Sequence, residues 1–164
     1  MTPLSTTRRR RLVQALYRSA AAYLGLGLAA GLYYRTLTHA QGFEGQTVLS
    51  LAHTHLLALG FLLSLALLAL AATTGLHRQR FFRPALLTYH AGMAITTGFM
   101  IVKGTFEVLG SWTDRPMFNG ISGTGHILLT VALTLVMLAL RAAVRATVHP
   151  TADVRSDELP VAAR

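Results

Sequence analysis

Four long apolar stretches separated by short polar segments set the pattern of this chain. The first runs from about Leu12 to Leu37 and is interrupted near its start by Arg18. The second, about Thr47–Gly75, carries no formal charge apart from histidine; the third runs about Pro84–Gly110, and the fourth about Gly120–Leu140, stopping at Arg141. Each matches or exceeds the roughly 20 apolar residues a helix needs to cross hydrocarbon. The expected fold class is all-α, an integral membrane four-helix bundle with helices at about 12–37, 47–75, 84–110 and 120–146. Pro84 suits the opening turn of its helix, where a missing N–H costs nothing. Residues 1–11 read as a basic cytoplasmic N-terminus. Residues 147–164, with Pro150, Asp153, Asp157, Glu158 and Pro160, read as a disordered tail. A cleaved signal peptide competes for the start, since basic residues precede an apolar stretch. Arg18 inside that stretch, and its continuation to Arg35, favour an uncleaved helix. No internal repeat is visible.

Composition agrees with the pattern. The chain is 52% hydrophobic and only 13% charged, too apolar for an ordinary soluble domain. Its net charge of +9 comes from arginines gathered at helix ends, as membrane topology requires, so nucleic-acid binding is not expected. Arg8–Arg11 and Arg18, then Arg78, Arg80 and Arg83, then Arg141 and Arg145 mark one side. Arg115 alone lies in the first and third connections, with Arg35 at the edge of helix one. The basic side is expected to be cytoplasmic, with both termini inside. The absence of cysteine excludes disulfides, thiolate zinc sites, cysteine-ligated iron–sulfur clusters and covalent c-type haem.

Among seven histidines, His53, His55, His90 and His126 fall inside expected spans, where an ionisable group usually has a partner or a ligand. His53 and His126 each lie six residues from the outer end of their helix, roughly 9 Å deep, and His55 roughly 12 Å. His53 and His55 are about 200° apart on a helix and cannot face one point. The stripe through His53 holds Ser50, Gly60 and Ser64; that through His126 holds Ser122, Gly123, Thr130 and Thr134. Small and hydroxyl residues let helices or a flat ring come close. His53 and His126 are therefore expected as inward partners, with His55 toward a neighbouring helix or subunit. Two imidazoles on opposing helices suit the axial sites of haem b. Gly60 and Gly123 would make room for the ring, and Arg35 and Lys103 are candidates for its propionates. Lys103 and Glu107, four apart, form an alternative pair. His90, lacking a histidine at its depth, is expected to serve packing, and Tyr33 and Tyr34 an interfacial belt.

The segments Gly31-Leu-Tyr-Tyr-Arg-Thr-Leu-Thr38, Ser50-Leu-Ala-His-Thr-His-Leu56, Lys103-Gly-Thr-Phe-Glu-Val-Leu-Gly110 and Gly120-Ile-Ser-Gly-Thr-Gly-His126 occur together. In this combination the chain resembles a family of small bacterial four-helix membrane proteins of uncharacterised function, over about residues 14–140. The resemblance implies a multi-pass protein of the bacterial inner (cytoplasmic) membrane. Ala52-His-Thr-His-Leu-Leu57 is more distantly similar to the second helix of the haem–copper oxidase and nitric oxide reductase catalytic subunit. That likeness implies His53 as an axial ligand of a low-spin haem, one four-helix arc per chain, and assembly as a homo-oligomer, a dimer or trimer. No second histidine set for a copper centre is present. The oxidase His–Tyr pairing is not evident either, the adjacent Tyr89-His90 being a different arrangement. Oxygen reduction by this chain alone is thus not expected.

Three functions remain open on sequence. The first is a membrane b-type haem protein for electron transfer or gas and redox sensing, with a redox partner. The second is a non-haem protein handling protons or a metal, copper or zinc. The third is a structural or assembly subunit. No catalytic nucleophile and no nucleotide site is recognisable, so an enzymatic activity is not assigned.

Overall fold

The computed structural model describes residues 3–113 and 116–148. Every regular element among them is helical. α1 spans Pro3–Ala40, α2 Leu49–His55, α3 Leu63–Thr73, α4 Phe82–Val108 and α5 Pro116–Val148. Between α2 and α3, Leu56–Leu62 is π-helical, so residues 49–73 form one continuous rod with an altered middle. A 3₁₀ turn, Leu76–Arg78, leads to α4. From Pro3 onward, the segment expected as a separate N-terminus forms the first turns of α1: proline fits an opening turn and arginine is a good helix former. The expected tail beyond Val148 lies outside the described residues. α1 and α4 end alike, on Gly42 and Gly110 at positive φ, with the N–H groups of Phe43 and Ser111 returning to Thr38 O and Phe106 O.

The rod, α4 and residues Gly120–Val148 of α5 are long and apolar enough to cross a membrane, with mean hydropathies of 2.5, 1.4 and 2.4. α1 has the length but not the hydropathy, because Arg18, three glycines and the tyrosines interrupt its apolar run. Of the four expected spans, three are thus met by composition. Only 28%, 39% and 28% of their apolar windows is buried within the protein. Helices apolar on all sides suit either a membrane span or burial against further protein.

Close helix contacts are made through glycine. Gly27 and Gly31 of α1 meet Leu57 and His53 of the rod. Gly104 of α4 lies against the backbone of Leu49, and Gly92 and Gly125 bring α4 and α5 together. α1 therefore leans on the rod, the rod on α4, and α4 on α5 along its length. One core cluster joins all four rods around Leu16, Leu67, Phe82 and Ala139 near the arginine-rich end. There Arg9 Nη2 donates to Ala72 O at 2.6 Å, tying α1 to the C-terminus of α3. A second cluster, around Ala30, Leu56, Tyr89, Met93 and Leu129, lies at mid-height.

Candidate functional site

His55 is the last residue of α2, and its Nδ1–H donates to Leu51 O at 2.9 Å. His126 in α5 repeats the arrangement, donating from Nδ1 to Ser122 O at 2.9 Å. A carbonyl can only accept, so these bonds place the proton of each neutral ring on Nδ1 and leave Nε2 with its lone pair. The two rings stand side by side across the seam between α2 and α5, with centres 6.4 Å apart and planes at 84°. Among the described residues neither Nε2 has a hydrogen-bond partner.

The seam follows from the helix phases. Along the rod the buried positions are Leu49, Ala52, Leu56, Gly60, Ser64, Leu67 and Ala71. His53 and His55 flank this line on opposite sides, His53 toward α1 and His55 toward α5. Leu51 and Leu62 on the rod, and Ile127 and Thr130 on α5, are exposed around the pair. A Cβ added at Gly123 would meet nothing within 4 Å, so the α5 side is open.

The residues expected as a site are thus only partly brought together. His126 stands beside His55, where sequence spacing had paired it with His53. His53 instead packs against Gly31, with its Nδ1 buried and without a partner among the described residues. The space at Gly60 holds the Tyr23 ring and makes no room for a cofactor. Arg35 is exposed on α1, which packs on the opposite side of α2 from His55. Lys103 takes the alternative pairing, with its Nζ 3.7 Å from Glu107 Oε1 and 5.5 Å above the Trp112 ring. It sits where α4 approaches the first turns of α5.

Glu107 has a further task that spacing alone did not reveal. Its Oε2 accepts from Val48 N at 2.9 Å and from Thr47 Oγ1 at 2.8 Å, so a carboxylate of α4 caps the N-terminus of α2. Anionic groups are favoured at that end of a helix dipole. His90 is partnered as well: Tyr23 Oη lies 2.8 Å from its Nδ1 and Ser19 Oγ 3.5 Å from its Nε2. Beside it, Tyr89 Oη donates to Leu59 O and, at 3.2 Å, to Gly60 O, inside the π segment. Nothing in the hydropathy pattern marks Tyr89 or the π segment.

Among the described residues no group of three or more His, Cys, Asp or Glu could hold a metal ion. Residues 13–143 match a family described as "Protein of unknown function (DUF2871)". No curated protein and no solved structure matches the chain, so the likeness of Ala52–Leu57 to an oxidase helix gains no support.

Proposed function

The chain belongs to that family, and from this premise we propose that it is a multi-pass membrane protein binding haem b, with His55 and His126 as the axial ligands. The ring geometry carries the reading. With metal–imidazole bonds of about 2.0 Å and about 1.1 Å from nitrogen to ring centre, imidazoles on opposite sides of one ion have centres about 6.3 Å apart. Tetrahedral ligation would bring them to about 5.2 Å. The observed 6.4 Å is nearer the first value, and is also the separation of an ordinary edge-on ring contact. Both rings also have Nδ1 donated to a carbonyl, the outer-shell bond that metal-ligating histidines characteristically make.

A porphyrin would itself supply most of the iron's ligands, and His55 and His126 would be the two residues that hold it. Ala58, Ser122 and Gly123 along the seam are small, and exposed Leu51, Leu62 and Ile127 would offer the ring apolar walls. Lys103, which pairs with Glu107, is the candidate cation for a propionate in this reading.

Haem bound there provides a one-electron couple in a hydrophobic setting, suited to electron transfer or to redox sensing. The protein's part is to fix both imidazole tautomers and hold the rings apart. The arginine-rich end lies in the cytoplasm in this reading, with α1 as a fourth, less apolar span. Lipid and a second copy of the chain cover the exposed helix faces.

Absorption spectra of protein purified after expression with haem supply test the assignment. The expected result is a Soret band with near-stoichiometric haem, lost on His55→Ala and on His126→Ala and kept on His53→Ala. A colourless protein, or one carrying a transition ion without porphyrin, rejects it.

A further inference from the structure

The geometry points to Tyr89 as the positioning residue that sets the direction of His55, through the π segment next to it. This rests on the reading of His55 and His126 as a pair. An α-helix turns about 100° per residue, and a π segment takes up one extra residue without adding a turn. The phase of α2 relative to α3 is therefore displaced by about 100° from that of an unbroken α-helix. The buried line along the rod records it: from Ala52 to Leu56, Gly60 and Ser64 it advances in three successive steps of four. Were residues 56–62 α-helical, α2 would rotate by that amount and carry His55 off the seam.

An extra residue leaves a carbonyl to satisfy. Leu63 N–H bonds to Ala58 O and Gly60 O, passing over Leu59 O, its partner in an α-helix. Tyr89 Oη donates to Leu59 O and also to Gly60 O. This hydroxyl comes from α4, on a side chain only 1% exposed. The Tyr23 ring of α1 packs edge-on against Tyr89 at 6.2 Å and fills the space above Gly60. The π segment is thus held from two neighbouring helices, and Tyr89 supplies the one donor that the rod cannot. In apolar surroundings a carbonyl without a donor is strongly unfavourable. Without the hydroxyl, the α pattern becomes the better solution, because there Leu63 N–H reaches Leu59 O.

The inference has a distinctive reversal. Deleting one residue of the π segment removes the extra residue itself, leaving a plain α-helix with the phase of α2 unchanged. Deletion of Ala58 is therefore expected to undo the effect of Tyr89→Phe, although it restores no hydrogen bond.

The chain has no cysteine, so nitroxide labels can be placed cleanly on Leu51→Cys and Ile127→Cys, both exposed beside the pair. Pulsed EPR on full-length protein in nanodiscs then reads the α2–α5 separation without haem. Tyr89→Phe is expected to shift the label distance by on the order of 5 Å. Adding the Ala58 deletion is expected to return it to the native value. The deletion alone, with Tyr89 kept, is expected to leave it native, which carries the test if Tyr89→Phe does not fold. An unchanged distance in Tyr89→Phe, a shift that the deletion fails to reverse, or a shift caused by the deletion alone overturns the inference. In haem-supplied protein the Soret band is expected to follow the same pattern. A colourless native protein that still shows the label pattern rejects haem while supporting the role of Tyr89.

Discussion

At His55 and His126, the carbonyl four residues back decides which nitrogen is free. His90 shows the contrast, with Tyr23 on one nitrogen and Ser19 on the other. Replacing His90 with Phe is expected to lower stability by about 1–3 kcal/mol, the cost of leaving the Tyr23 hydroxyl buried without its partner. Haem content should not change, and thermal unfolding in detergent followed by circular dichroism separates the two effects. Gly104 makes a complementary prediction. Its missing side chain lets α4 touch the backbone of Leu49, so Gly104→Ala is expected to push α2 outward and cost about 1–3 kcal/mol. The same melting measurement checks it, and an unchanged midpoint would contradict the packing described.

At the scale of elements, the sequence was legible where periodicity is regular and misleading where it is not. α5 buries Gly125, Leu129, Ala132, Val136, Ala139 and Ala143 in unbroken helical steps. The rod does not keep a single phase. Grouping His53 with Gly60 and Ser64 assumed about 100° per residue throughout. Gly60 lies inside the π segment and Ser64 just beyond it, so both belong to the buried line through Ala52 and Leu56, and His55 faces α5. No local composition signals the change, because Leu-Leu-Ala-Leu-Gly-Phe-Leu is equally suited to an α-helix. The histidine layer could be read from sequence; which histidine faces α5 depended on a hydroxyl 30 residues away. The cap on α2 was hidden for the same reason, since Glu107 acts across helices. Glu107→Ala is expected to weaken the α2 terminus by about 1 kcal/mol. Faster amide exchange at Val48 and Leu49 would show it.

For the whole molecule, helix direction, arginine placement and chemistry agree. The Arg9–Ala72 contact and the turn at Leu76–Arg78 place the ends of α1, α3 and α4 together, at the end where the arginines collect. In the proposed topology that end is cytoplasmic. Single cysteines at Ser111 and at Arg78 are then expected to react oppositely with an impermeant maleimide added to intact cells, the first labelled and the second protected. The seam and its histidine pair lie toward the other end.

The central claim, a haem held between His55 and His126, is met most directly by the low-temperature EPR spectrum of the oxidised, haem-supplied protein. Imidazole planes near perpendicular leave the two iron orbitals that they address almost equal in energy. With the rings at 84°, the expected signal is low-spin and highly anisotropic, and lost in either histidine variant. A high-spin signal that neither substitution changes, or no haem signal at all, would contradict the account.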